Sequence, residues 1–291
     1  MSKNLRFLFL YSLGSIALIS IIVSCSTLSP VDSKAGAVRV FSSFEAIDSE
    51  NVEQEWRALS GGVDYFYGRV SSPRLEFWAL RIDLNAPGVD IVIESDTDTV
   101  SNFVRNNNLI AGINASPYDE NHKNLGLVIS NGTLLNNPVS RYDALVFYKD
   151  GQNTRAVIVS QADVYTTANI ENAVGGYHRI LADGQPTQRT FNEGTASAQR
   201  HPRSAAGVSS NGGTLYLLVI DGRRPGSVGA TELETAQLLR ALGSYNGLNL
   251  DGGGSSTLAI RYSDGTVKPA NTPGSLGRER AVTSFIGVSA D

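Results

Sequence analysis

The chain has 291 residues, 28 acidic against 24 basic, and a formal net charge of -4. That balance, with basic residues in pairs such as Arg223-Arg224 and Arg278 with Arg280 rather than in stripes, argues against a nucleic-acid surface. The single cysteine, Cys25, rules out an internal disulfide, and His122, His178 and His201 lack the spacing of a zinc site.

In chain order, the N-terminus reads as a targeting segment. Lys3 and Arg6 precede an almost wholly apolar run, Phe7 to Val23, that closes in Ile22-Val23-Ser24-Cys25. A branched apolar residue, a small residue and then cysteine resembles the bacterial lipoprotein signal. Residues 1–24 are then a signal peptide, and Cys25 is the lipidated first residue of the mature chain. An uncleaved membrane anchor and a plain secretory signal are the alternatives. Ser26 after the cysteine resembles the outer-membrane sorting pattern. The expected location is the bacterial cell envelope, with the membrane as a partner through Cys25. Residues 25–51, rich in Ser, Asp, Ala and Gly, read as a flexible tether, and residues 52–291 as one folded domain.

The domain reads as mostly short strands. Val63 to Val70 and Leu75 to Ile82 alternate as a pair across Ser71-Ser72-Pro73, and Val89 to Ile93 is a further strand. Val100, Phe103 and Val104 space a short helix over 99–107, and Ile110 to Asn114 is a buried strand. Asn131-Gly132 and Asp150-Gly151 each sit between apolar runs as hairpin turns. Asn211 to Gly213 turns into the strand Thr214 to Ile220. Thr231 and Glu234 form a capping-box pair before a helix with Leu233, Ala236, Leu238, Leu239 and Leu242 on its apolar side, stopped by Gly243. This helix links the strand ending at Asp221 to the strand ending at Asp251. The two strands are expected to be parallel neighbours with both acids at one sheet edge, where ligands commonly bind. The fold class is α+β, a strand-rich mixed sheet with a few helices.

The most unusual segment is Asn249-Leu250-Asp251-Gly252-Gly253-Gly254-Ser255-Ser256-Thr257. An acid at a strand end followed by three glycines and two serines does nothing for a core. It either brings backbone amides and a carboxylate to a ligand or makes a tight corner that needs positive φ. Asn114, Arg203, Asp221 and Asn249 likewise stand beside apolar runs. Asp221 before Gly222 is also a turn pattern, and Arg203 also suits a structural salt bridge. No Gly-x-Ser-x-Gly elbow and no phosphate loop of the Walker type occurs. Of the aromatics, Tyr65, Phe66, Tyr67 and Trp78 read chiefly as core, with one or two available to stack on a sugar.

The segment 249–257, preceded by Pro202-Arg203-Ser204-Ala205-Ala206-Gly207 and Val219-Ile220-Asp221-Gly222-Arg223, resembles the phosphodiester glycosidase family. Ile113-Asn114 early in the domain and Arg280-Ala281-Val282 near its end fit the same order, over roughly Val63 to Val288. Bacterial members are often described as exopolysaccharide-related. The resemblance implies a phosphodiester-glycosidase-like fold and hydrolysis of a sugar joined through its anomeric carbon to a phosphodiester in a surface glycan. A phosphate-linked carbohydrate is therefore the expected partner. Arg203, helped by amides of Gly252, Gly253 and Gly254, is then expected to hold the phosphate. Asp251 and Asp221 become the acid/base or stabilising carboxylates, and Asn114 and Asn249 the groups that orient sugar hydroxyls. Ser255 and His201 complete the expected site. No cofactor is evident, and a divalent cation near Asp251 stays open. An ordinary glycosidase and a non-catalytic glycan-binding lipoprotein are the competing functions. One departure stands out. The family usually has Asn-Gly where this chain has Asn114-Ala115, and alanine does not suit a positive φ.

Overall fold

The structure, a computed structural model, describes residues 39–290 apart from 165–168, 193 and 275–276. The expected signal peptide, Cys25 and Ser26 lie outside the described residues. Among the described residues no helix is long and apolar enough to cross a membrane.

Three sheets carry the fold. The largest, of nine strands, runs in the order Arg39–Phe41, Val63–Val70, Leu75–Asp83, Thr214–Ile220, Arg203–Val208, Asn246–Asn249, Arg179–Ala182 and Gln185–Pro186, with Arg57–Ser60 paired to Val63–Val70. A five-stranded sheet is built from the hairpin Asp143–Asp150 with Asn153–Ser160, then Ile170–Gly175 and the hairpin Val128–Ser130 with Thr133–Asn136. The third, also five-stranded, orders Val267–Pro269, Leu258–Arg261, Ala111–Asn114, Phe285–Ser289 and Asp90–Glu94. All three turn an apolar face to one core: Leu80 and Leu217 come from the first, Leu145 and Phe147 from the second, Ile113 and Ile286 from the third. The opposite face of the large sheet packs on the helix Glu232–Ala241 through Ala236, Leu238 and Leu239. Leu75–Asp83 is therefore covered on both faces, and its run Leu-Glu-Phe-Trp-Ala-Leu is buried without alternation.

Most of the expected elements form. The paired strands 63–70 and 75–83, the helix Val100–Asn106 and the helix with its complete Thr231/Glu234 capping box lie where the sequence puts them. Asn131 and Gly132 both take positive φ (48° and 74°), as a type I′ turn requires. The second hairpin turns one residue later than expected, on Gly151-Gln152, because Asp150 still pairs with Asn153.

Two expectations are corrected. Residues 39–51 are not all tether: Arg39–Phe41 pairs in parallel with Gly68–Val70, and Phe41 and Phe44 are buried against the large sheet. The strands Thr214–Ile220 and Asn246–Asn249 are parallel but not neighbours, because Arg203–Val208 lies between them, antiparallel to both. The start of that middle strand thus meets the ends of its flankers. Arg203 stands opposite Ile220, and Ala205 opposite Asn249. One sheet edge gathers Arg203, Asp221 and the glycine segment.

Candidate active site

The loop from Asp251 to Thr257 is held at both ends by one buried amide. Asn114 Nδ2 donates to the Asp251 carbonyl (2.6 Å), and Asn114 Oδ1 accepts from Thr257 N–H (3.1 Å) and from Ser204 Oγ (2.8 Å). Asp251 N–H donates to the Ala115 carbonyl at 2.9 Å. Asn114 is completely buried, with its side chain fully engaged, so it positions the loop and does not orient sugar hydroxyls. Ala115 is absent from the positive-φ residues among those described, so alanine sits there without strain.

The three glycines answer to different constraints. A Cβ at Gly252 would stand 2.9 Å from the Pro202 carbonyl, and Gly253 has φ +64°. A Cβ on Gly254 would press on the Arg280 guanidinium at 3.2 Å. Their amides are not all offered to a ligand. Gly252 N–H serves the Asp251 carboxylate, and Gly253 N–H donates to Pro202 O at 2.9 Å. Among the described residues, Gly254 N–H is the one left open.

Asp251 borders a cleft of about 410 Å³, whose walls include Tyr177, His201, Arg203, Glu232, Asn249 and Gly253. Burial pushes its carboxyl up to about 6, against the opposing pull of the Ser255 hydroxyl, the Arg280 charge and the Gly252 amide. Ser255 is itself buried, so it steadies Asp251 from behind. Tyr177 is placed by a two-way stitch: its N–H donates to the Asn249 carbonyl (2.8 Å), and Asn249 N–H donates to the His178 carbonyl (3.0 Å). Burial, then the charge of Asp251, pushes the Tyr177 phenol up to about 12, so it stays a neutral hydrogen-bonding ring near neutral pH. The rings of Tyr65, Phe66, Tyr67 and Trp78 are absorbed by packing, with Phe66 on Phe77 and Tyr67 on Trp78, so Tyr177 is the aromatic of this cleft.

A second concavity, of about 270 Å³, shares Pro202, Arg223 and Gly253 with the cleft and adds Gly254, Arg278 and Arg280. Arg223, Arg278 and Arg280 are exposed. Arg223 takes a positive φ of 59°, uncommon for its type, and its Nη2 lies 3.3 Å from His201 Nδ1. His201 Nε2 lies 3.3 Å from Gln199 Oε1, so the network assigns the neutral Nε2–H tautomer. Burial and the charges of Arg203 and Arg223 hold the imidazole below its ordinary range.

Arg203 and Asp221 depart from their expected roles. The Arg203 guanidinium donates to the carbonyls of Ala230 (3.0 Å), Ala196 (3.2 Å) and Gln199 (2.9 Å). Its Nη1 lies 3.7 Å from Glu232 Oε1. Arg203 is thus spent on the framework, and the exposed cations beside the site are Arg189 in the cleft, Arg223 in both spaces, and Arg278 and Arg280 in the second concavity. Asp221 lines neither space. Its Oδ1 accepts from Asn271 Nδ2 (2.9 Å), its Oδ2 from Arg224 Nε (3.0 Å), and Thr272 N–H approaches both. Glu76 in turn pairs with Arg224 and Arg69. Such a saturated carboxylate is a structural knot: the turn reading of Asp221-Gly222 prevails over the catalytic one.

Of the ten residues expected at the site, His201, Arg203, Asn249, Asp251, Gly252 and Gly253 line the cleft, and Gly254 lines its neighbour. Ser255 stands behind Asp251, while Asn114 and Asp221 are elsewhere in the framework. Sequence reasoning missed Tyr177 and Glu232, as well as the convergence of Arg223, Arg278 and Arg280. Glu232 was hidden inside a helix start already explained by its cap. Among the described residues no group of three or more His, Cys, Asp or Glu side chains converges as a metal site.

A family model described as phosphodiester glycosidase matches residues 107–289. The SPbeta prophage-derived uncharacterized protein YomE of Bacillus subtilis (strain 168) is 30% identical over 202 residues, covering 67% of this chain. The chain spans only 30% of the length of that relative. Among solved structures, the fold is similar to a zebrafish N-acetylglucosamine-1-phosphodiester alpha-N-acetylglucosaminidase catalytic domain, auto-inhibited by its pro-peptide. That match has a TM-score of 0.61 and 18% identity, over 79% of this chain and 83% of that one. A hypothetical protein from Synechocystis matches with a TM-score of 0.58 and 18% identity, over 79% of this chain and 62% of that one.

Proposed function

The chain belongs to the phosphodiester glycosidase family, and on that premise we propose that it hydrolyses the glycosidic bond of a sugar-1-phosphodiester in a cell-envelope or exopolysaccharide glycan. The observation that carries this reading is Asp251: a carboxyl pushed up to about 6 lines a cleft that shares Pro202, Arg223 and Gly253 with a concavity lined by three arginines. In the proposed reaction the diester phosphate lies among Arg223, Arg278 and Arg280, with Gly254 N–H beside it. The bond from the anomeric carbon to the phosphate oxygen breaks, and its electron pair leaves with the phosphate monoester. The second pKa of such a monoester is near ~6, so it departs as a stable anion that the arginines hold. A water oxygen bonds to the anomeric carbon, and its proton passes to ionised Asp251, whose charge also supports the positive charge developing at that carbon. Arg203 and Asn114 act by holding the Asp251 loop and the cleft wall in place.

The test is turnover of a sugar-1-phosphodiester and of the matching aryl glycoside in labelled water, with products read by mass spectrometry. Free sugar carrying the label, plus a phosphate monoester, is the expected result. Sugar-1-phosphate would mean P–O cleavage and overturn the mechanism. Cleavage of the aryl glycoside alone would make the protein an ordinary glycosidase, and glycan binding without turnover would make it a binding lipoprotein.

We also propose a lipid anchor at Cys25 that places the domain in the bacterial envelope, on the outer membrane where there are two. Support comes from Lys3, Arg6, the apolar run to Val23 and the sole cysteine. A Cys25→Ser chain should lose fatty-acid labelling and leave the membrane fraction; retention of both would refute the anchor.

A further inference from the structure

Two acceptor atoms in the cleft wall, Glu232 Oε2 and Asn249 Oδ1, are buried without a hydrogen-bond partner among the described residues. Their residues are only 6% and 4% exposed. Leaving such groups unpaired costs free energy, so a native fold keeps them where something else meets them. Local structure does not demand either one. Helix capping is already complete through Thr231 and Glu234, and Glu232 adds only its charge in the first turn, which needs no buried, unpaired oxygen. Asn249 closes its strand through backbone bonds alone.

The two side chains are oriented toward one another. Asn249 Nδ2 faces Glu232 Oε1 at 3.5 Å, which turns Asn249 Oδ1 away from the carboxylate. Arg203 Nη1 lies 3.7 Å from Glu232 Oε1, and Arg189 Nε lies 4.0 Å from Glu232 Oε2. This setting selects its ligand. A cationic amine would be opposed by Arg189 and Arg203, and an anion by Glu232. A neutral group that donates two hydrogen bonds meets both acceptors. Tyr177 lines the same cleft and supplies an aromatic side chain beside the polar pair.

We propose that Glu232 and Asn249 form the sugar-recognition subsite, receiving hydrogen bonds from two neighbouring hydroxyls of a neutral sugar ring whose C–H face lies on Tyr177. The proposal rests on the reading of the cleft as a glycosyl-phosphodiester site, since it assigns the sugar to the wall with Glu232 and Asn249 and the phosphate to the concavity with Arg278 and Arg280. Glu232 is thus a specificity residue, and its loss acts on one hydroxyl of the ligand rather than on bond cleavage.

The experiment is calorimetric titration of methyl glycosides of glucose, galactose, mannose, N-acetylglucosamine and N-acetylgalactosamine, in both anomers, into the wild-type protein, E232Q and N249S. The best binder is then replaced by its monodeoxy analogues. Wild type should bind at least one glycoside, and E232Q should weaken it ten-fold or more. One deoxy analogue should weaken wild-type binding to a similar degree but leave E232Q binding unchanged, because both changes remove the same hydrogen bond. N249S should show the same non-additivity at the adjacent hydroxyl, and it carries the test by itself if E232Q fails to fold. Equal binding by wild type and variants, losses that multiply at every position, or no glycoside binding to wild type would overturn the subsite. Turnover separates this from the wider reading. Glycoside binding that depends on Glu232, without phosphodiester cleavage, removes the hydrolase and leaves the subsite. Cleavage by E232Q with wild-type kcat/KM removes the subsite and leaves the hydrolase.

Discussion

Asp251 and Asp221 have the same local signature, an aspartate before glycine at a strand end, and burial pushes both carboxyls up, but their partners differ. Asp221 has partners on both oxygens; Asp251 is buried with few. The pH behaviour follows from this. The folded protein binds the Asp251 proton more tightly than the unfolded chain, whose ordinary value is 3.8, so stability falls as pH rises from there to about 6. Asp251→Asn carries no charge to bury, and should be about 1–2 kcal/mol more stable than wild type at pH 7 while losing at least ~100-fold in turnover. Asp221→Asn should reverse both effects, losing about 2–3 kcal/mol because Arg224 is left half-paired, with kcat within a few-fold of wild type. Thermal melts and initial rates on the two variants decide this. Wild-type turnover should rise with pH through about 6 to a plateau; a fall over that range would make Asp251 the proton donor instead. Arg278→Ala should raise KM for the phosphodiester about 10- to 100-fold and leave hydrolysis or binding of a neutral aryl glycoside unaltered. Equal losses on both ligands would remove the phosphate from that concavity. At this scale the sequence was legible where composition was odd. The glycine triplet marked Asp251, whereas nothing local separates Arg203, with its guanidinium on three carbonyls, from Arg280, with its guanidinium exposed.

Secondary-structure elements place the site through one arrangement that periodicity does not encode. Helix and strand patterns located Thr214–Ile220, Glu232–Ala241 and Asn246–Asn249 well, and the parallel direction of the two strands follows from the helical crossover. The insertion of Arg203–Val208 between them is a tertiary choice, because a strand buried on both sides carries no mark of its neighbours. Asn114 shows the same limit. A polar residue ending a buried strand advertises importance but not whether it faces a ligand or the backbone. Its three hydrogen bonds close the Asp251–Thr257 loop, so Asn114→Ala leaves a buried carbonyl, amide and hydroxyl unpaired. We expect a loss of about 2–4 kcal/mol in denaturant unfolding, with turnover at 25 °C falling at least ~10-fold as Asp251 loses its fixed position. A stable, fully active Asn114→Ala chain would show that the loop is held some other way.

At the scale of the molecule, three sheets share one core, and the strand Arg39–Phe41 belongs to the cluster on the other face of the large sheet. Composition made residues 25–51 look like tether because Ser, Asp, Ala and Gly dominate its beginning, and the isolated Phe41 and Phe44 were too few to show periodicity. Both are buried, Phe41 at 3% and Phe44 at 8% exposure. Removing them strips apolar cover from Phe66, Val70 and Phe77. A chain beginning at residue 52 should therefore melt about 6–15 °C below one beginning at residue 39, from a loss of about 3–5 kcal/mol. Equal melting temperatures would make the N-terminal strand dispensable. The family resemblance, carried by two short motifs, thus located the fold correctly while saying little about where the folded body starts.

The arginine-lined concavity draws on residues far apart in the chain: Arg223, the Gly253-Gly254 turn, and Gly274, Arg278 and Arg280. The sugar end of the cleft draws on others, Tyr177, Glu232 and Asn249. Pro202, Arg223 and Gly253 are the residues the two spaces share. Inheritance can therefore act on the rest of each separately. On the proposed reading, drift at 278 alters what the phosphate end accepts and drift at 232 alters what the sugar end accepts, with the Asp251 carboxylate kept. Such a division lets one specificity be exchanged at a time.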